Sequence, residues 1–145
     1  MSEDIPVMEQ AAAEFRCAKL IARFFNALDD VRMADASECF APDGIWSRQG
    51  KELHGPAQVL EELNQRSPTV STRHLMSNAD LTLLDADRVE GQFIATVYAR
   101  HGDPDGNGHA ASQCNILLFD AQFTRNAGDW RIMRLSRRVV FEHKS

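Results

Sequence analysis

Two residues far apart in the chain have the types needed for proton transfer. His74 lies in Thr72-Arg73-His74-Leu75, at the start of a predicted strand, and Asp29 ends a predicted helix. A neutral imidazole is a suitable base near neutral pH, because its unperturbed pKa is about 6.5. A partly buried carboxylate on the other ring nitrogen would set the tautomer and stabilise the imidazolium as it forms. Apolar surroundings strengthen such a pair by lowering the local dielectric. General base catalysis of this kind contributes typically about 10²–10⁴-fold to a rate. The alternative is a buried hydrogen-bonded pair that only ties helix to sheet, and residue types leave both open.

The elements must bring these side chains together. From Met8 to Leu28 the pattern is helical: Ala11, Phe15, Ala18, Ala22 and Phe25 recur at spacings of four and three and so share one face. That series continues to Asp29. The polar series Ala12, Arg16, Lys19, Arg23, Asn26 continues to Asp30. Asp29 is therefore expected to point inward and Asp30 to water. A carboxylate at a helix C-terminus is unfavourable by roughly 0.3–1 kcal/mol when exposed, so helix stability does not explain Asp29.

A second helix is predicted over Met33 to Phe40, ended by Ala41-Pro42-Asp43-Gly44. Gly44 to Gln49 and Glu52 to His54 read as a small hairpin around Gly50-Lys51, with Trp46 packed inward. Gly55-Pro56 starts a third helix, with Val59, Leu60 and Leu63 on one side, and Ser67-Pro68 stops it. Four strands follow: Ser71 to Leu84, Arg88 to Arg100, Ala110 to Thr124, and Asp129 to Phe141. Their turn-rich connections suit antiparallel neighbours. Helices first and an antiparallel meander after them give an α+β domain, with helices packed on one face of a curved sheet.

In the second long strand Val89, Gly91, Phe93, Ala95, Val97 and Ala99 share a face. Small residues in that set fill space poorly, so the face is expected to wall a cavity. The opposite face, with Ile94 and Tyr98, is available to another subunit. In the first strand His74, Met76 and Asn78 share one parity, and Leu81 and Leu83 take the other. The switch predicts a bulge near Asn78 to Asp80 that bends the sheet.

At 145 residues the chain fits a single domain, 1–145, with Met1 to Val7 a short disordered lead-in. A net charge of -5 argues against a nucleic-acid binder. The local run Arg134, Arg137, Arg138 reads as a solvated face. Three widely spaced cysteines, Cys17, Cys39 and Cys114, imply neither a disulfide framework nor a zinc site. The N-terminus lacks the charged start and apolar run of a signal peptide, and no apolar run reaches membrane-spanning length. A cytoplasmic location is expected.

The order of these features is familiar. A long helix with a terminal aspartate, Phe40-Ala41-Pro42-Asp43-Gly44-Ile45-Trp46, Gly55-Pro56, Thr72-Arg73-His74-Leu75 with Asn78, and a last strand opened by Gly128-Asp129-Trp130-Arg131 resemble the SnoaL-like branch of the nuclear transport factor 2-like superfamily. The resemblance runs from about Phe15 to Phe141. It implies a cone-shaped α+β barrel in which a curved antiparallel sheet wraps a long helix around a deep apolar pocket, often in a homodimer. Relatives include scytalone dehydratase, hexachlorocyclohexane dehydrochlorinase, ketosteroid isomerase, polyketide cyclases and the small subunits of ring-hydroxylating dioxygenases. In the dehydratase and the dehydrochlorinase a histidine–aspartate dyad abstracts the proton, at positions matching His74 and Asp29. This chain has a single tyrosine, Tyr98, and Phe24 and Phe25 stand in the helix region where the isomerase has a carbonyl-polarising tyrosine. The missing tyrosine counts against isomerase chemistry, and a dehydratase would need another electrophile, such as Asn78, Asn115 or Arg134.

The remaining motifs are weaker. Asp103-Pro104-Asp105-Gly106-Asn107-Gly108 matches half a calcium loop, but Cys114 stands where the closing glutamate belongs, so a glycine-rich turn is the plain reading. His101 and His109 flank it as loop residues, His54 reads as a turn residue, and Cys114 lacks an assignable activating partner. The expectation is a lyase or dehydratase with His74 and Asp29 as catalytic pair, with an isomerase or cyclase as the other enzyme classes left open. Phe25, Trp46, Met76, Asn78, Phe93, Tyr98, Asn115 and Arg134 are its candidate pocket residues. No metal or organic cofactor is implied, and the partner is a small apolar molecule. The alternative is a non-catalytic binding protein or a dioxygenase small subunit.

Overall fold

A computed structural model describes residues 4–102 and 113–144. Its elements run α1 (Val7–Asp29), α2 (Met33–Ser37), β1 (Phe40–Arg48), β2 (Lys51–His54), α3 (Gly55–Leu63), β3 (Val70–Asp85), β4 (Arg88–His101), β5 (Gln113–Asn126) and β6 (Asp129–Lys144). The architecture is the predicted α+β one: a curved six-stranded sheet in the order β2-β1-β6-β5-β4-β3, with α1 lying in its concave face. The calcium-like loop, His109 and the predicted strand start at Ala110 lie outside the described residues.

The sheet is mixed where a purely antiparallel one was expected. β3 to β6 form the antiparallel meander, but β1 joins β6 in parallel, from Phe40 opposite Ile132 to Ser47 opposite Ser136. Phe40-Ala41-Pro42-Asp43 therefore begins a strand, and α2 ends at Ser37 rather than Phe40. Pro42 is tolerated because the ladder is already irregular between Phe40 and Ile45. The β1–β2 reversal is a two-residue turn with positive φ at Gln49 and Gly50, and Ala127-Gly128 makes the same kind of turn between β5 and β6.

The buried face of α1 is not the predicted one. Ala13, Cys17, Leu20, Ile21, Phe24, Phe25, Ala27 and Leu28 are buried, while Phe15 is 66% exposed. The stripe is centred about a third of a turn from the series Ala11, Phe15, Ala18, Ala22, Phe25, given about 100° per residue. Phe25 alone of that series is buried, and Asp29 lies at the stripe's margin. Phe24 anchors the interior, edge-on to both Phe40 (5.5 Å) and Trp46 (5.4 Å). Burying a side chain of this size stabilises by about 1.5–3 kcal/mol.

β4 presents the predicted face: Val89, Phe93, Ala95, Val97 and Ala99 are buried. The predicted bulge is present, with the β3–β4 register shifting between Ser77 and Asp80 and Asn78 at φ 52. Gly91 is required opposite it, because a Cβ there would collide with the Asp80 carbonyl oxygen and come within 2.8 Å of Leu81 Cα. Among the described residues no helix is long and apolar enough to cross a membrane.

Candidate functional site

Asp29 owes its place to the way α1 stops. Arg32 N–H donates to Ala27 O (2.8 Å) and Val31 N–H to Leu28 O (3.2 Å), the two bonds of a Schellman ending. Val31 takes the left-handed conformation there, at φ 60, where glycine is usual. Asp29 is thus the last helical residue, beside β3 at the edge of the sheet.

An edge strand leaves backbone donors without strand partners. The Asp29 carboxylate takes one of them: His74 N–H donates to Oδ2 at 2.8 Å. Its other oxygen, Oδ1, accepts from the Thr72 hydroxyl at 2.8 Å and lies 2.6 Å from His74 Nδ1. The short contact assigns the ring proton of the neutral form to Nδ1, leaving Nε2 as the basic nitrogen. Arg66 donates to Thr72 Oγ1 (2.6 Å) and to Leu28 O (3.3 Å), and Arg73 to Asp29 O (3.2 Å). Two guanidiniums thus satisfy carbonyls of the last turn and offset the carboxylate's poor position on the helix dipole. Phe25, one turn before Asp29, stacks on the imidazole with centroids 4.6 Å apart and planes 13° apart.

Burial is the largest single influence on the Asp29 carboxyl and opposes its charge. The hydrogen bonds from His74 and Thr72, with the imidazole's charge, outweigh it and hold the group below the usual carboxylate range. The Asp29 side chain is 5% exposed and that of His74 14%.

His74 forms part of the wall of a cavity of about 450 Å³ between α1, α3 and the sheet, within the size range of small-molecule sites. Of the predicted pocket residues, Phe25, Trp46 and Asn115 line it. The others do not. Met76 shares the inward parity but packs against the core. Asn78 is turned to solvent by the bulge. Phe93 is 1% exposed and stacked on Phe119 at 4.9 Å, behind the wall. Tyr98 is 44% exposed on the outer sheet face. Arg134 faces outward too, 3.7 Å from Glu52. Cys114 alternates outward between Gln113 and Asn115, both on the wall.

Sequence reading passed over the polar part of the lining. Thr72 shares His74's parity two residues upstream, a signal that was available. Arg48, Arg66, Arg137, Glu62 and Gln113 also line the cavity. Arg137 corrects the reading of the late arginine run: Arg134 and Arg138 face out, but Arg137 lies opposite Phe119 on the inner face.

A curved six-stranded sheet packed over a long helix matches the cystatin-like, nuclear transport factor 2-like fold. The chain belongs to the SnoaL-like domain family, whose profile it matches over residues 9–136. Solved structures similar to it include hexachlorocyclohexane dehydrochlorinase LinA-type3 from Novosphingobium barchaimii LL02 (TM-score 0.77, 18% identity, 97% of this chain and 94% of that one). A candidate scytalone dehydratase from Novosphingobium aromaticivorans DSM 12444 superposes with TM-score 0.81 at 12% identity, over 93% of this chain and 89% of that one. ActVI-ORFA from Streptomyces coelicolor gives 0.75 at 16% identity, over 86% and 95%. At these identities the likeness concerns the fold. No curated protein sequence matches.

Proposed function

We propose that this chain is a lyase of the dehydratase or dehydrochlorinase kind. The observation that carries the reading is the 2.6 Å contact between His74 Nδ1 and Asp29 Oδ1 at the wall of a cavity sized for a small molecule. His74 Nε2 takes a proton from a carbon beside an activating group. The C–H electron pair becomes a carbon–carbon double bond as a hydroxyl or similar group leaves with its bonding electrons. Asp29 orients the ring and stabilises the imidazolium. Asn115, whose side-chain oxygen accepts from Gln113 Nε2 (3.3 Å), keeps its amide donors for a developing negative charge on the substrate. Phe25, Leu117, Val97 and Phe119 provide the apolar lining.

A second copy of the chain covering the outer sheet face, where Leu75, Tyr98 and Phe141 are exposed, suits a homodimer. Three free thiols, two of them buried, suit a reducing, cytoplasmic setting.

The test is a panel of small cyclic compounds with a hydroxyl or halide placed β to an acidic C–H, followed by mass spectrometry. Wild-type protein should eliminate the leaving group from at least one of them. His74→Ala and Asp29→Asn should each keep the fold and lose that turnover. Undiminished turnover in either variant defeats the proposal. Saturable binding without turnover would favour a non-catalytic binding protein.

A further inference from the structure

The charges on the cavity wall do not balance. Glu62 is ion-paired with Lys51 at 3.2 Å. Arg66 is spoken for by Thr72, Leu28 O and the charge of Asp29. That leaves Arg48 and Arg137. Ser47 pairs with Ser136 across the parallel β1–β6 ladder, so the next residues, Arg48 and Arg137, stand side by side on the inner face. Each feels burial as the main influence, pulling its pKa down, and Arg48 is pulled further by Arg137 and Arg66 against an opposing effect of Glu62. Arg48 lies over the Trp46 ring, 4.6 Å from its centroid, with Nε buried and without a hydrogen-bond partner. Among the described residues neither guanidinium has a carboxylate within salt-bridge distance. Two adjacent, half-buried cations repel each other, and the buried Arg48 Nε has no acceptor among the described residues, an arrangement that an anion would relieve.

We propose that Arg48 and Arg137 form the anion-binding end of the cavity, and that the ligand is a small organic acid: a carboxylate on an apolar body. The inference rests on the proposed reading of the site as a ligand cavity and adds the class of ligand. A pair of guanidinium forks matches the planar, bidentate geometry of a carboxylate. The aromatic and aliphatic lining fits the uncharged remainder. The sheet order separates the arginines from the proton-transfer pair: β5 and β4 lie between Arg137 on β6 and His74 on β3. A ligand anchored by its carboxylate would therefore present a different part of its skeleton to His74. The arginines fix register and exclude uncharged analogues, because an uncharged group leaves both cations buried and unpaired.

The probes are naphthalene-2-carboxylate and naphthalene-2-carboxamide, titrated against the full chain by isothermal titration calorimetry. The carboxylate should bind saturably, about tenfold or more tighter than the amide, as charge-assisted bonds require. Arg48→Gln and Arg137→Gln should each abolish that preference. Arg137→Lys, which keeps the charge but not the fork, should keep part of it and guards against misreading an unfolded variant. His74→Gln should keep the carboxylate preference, so failure of the proton-transfer reading and failure of the anion site are separable. No saturable carboxylate binding at millimolar concentration, equal affinity for the two probes, or an undiminished preference in both glutamine variants overturns the proposal.

Discussion

The ring of Phe25 lies nearly parallel to the imidazole of His74, 4.6 Å from centroid to centroid, while the next turn of the same helix supplies the carboxylate bound to Nδ1. One helix therefore fixes the plane of the ring and its hydrogen bond. Phe25→Ala should cost about 3–5 kcal/mol, the usual toll for deleting a buried aromatic. Urea denaturation measures that loss. The His74 side-chain resonances of the variant should broaden, since the ring would lose its stacking surface.

Thr72 joins two charged groups through one hydroxyl, accepting from Arg66 and donating to Asp29. Thr72→Val keeps the shape and removes the oxygen. Leaving both partners short of a bond should cost about 1–3 kcal/mol. The Asp29 carboxyl should titrate higher than in wild type, because a bond favouring its charged form is gone. Carbon-detected NMR titration reads the second effect, and an unmoved Asp29 would show that the hydroxyl does not support the charge.

The Asp29 carboxyl lies below its ordinary range in the folded protein. Its charged form therefore adds stability that is fully present above the unfolded carboxyl pKa of about 3.9 and is lost as pH falls through the lower folded value. The stability difference between wild type and Asp29→Asn should be largest near neutral pH and shrink across that acid window. Urea midpoints measured from neutral pH downward test this. A difference that grows on acidification would reverse the sign and refute it.

Val31 holds a left-handed conformation that a β-branched residue adopts only under strain. It is 68% exposed, so little packing is at stake. Val31→Gly should relieve the strain and stabilise by about 1 kcal/mol, seen as a higher urea midpoint. Loss of stability would mean that the valine side chain holds the end of α1 by contacts outweighing its backbone cost.

The sheet was more legible than the helix packed in it. Alternation on β4 and the parity switch at Asn78 to Asp80 appear in the sequence because a strand has only two faces, and a slip between them changes every side chain. On α1 the predicted series rested on three alanines, whereas the buried stripe carries Leu20, Ile21, Phe24 and Leu28. Alanine fits either side of a helix, so Ala11, Ala18 and Ala22 carried no information about burial. The parallel pairing of Phe40 with Ile132 joins residues far apart in sequence, and no local pattern announces it. The meeting of His74 and Asp29 was legible through the family resemblance, whose paired positions match these two residues, and not through the helix pattern, because the series that reaches Asp29 is not the buried stripe. The polar lining was legible only in part: Arg48 shares the parity of the inward Trp46, but arginines in strands are usually solvated, and the β1–β6 pairing that sets Arg137 beside it joins residues far apart in sequence.

The carboxylate at position 29 grips the rim of the sheet through a main-chain amide, which any non-proline residue at position 74 would supply. Exchanging the imidazole would therefore remove the ring while leaving this clasp in place. Exchanging the aspartate for a residue without a side-chain oxygen undoes the clasp and the ring's orientation together. Substitution at 74 is thus an open route to new chemistry on an intact scaffold, whereas position 29 is answerable to architecture before it is answerable to reactivity.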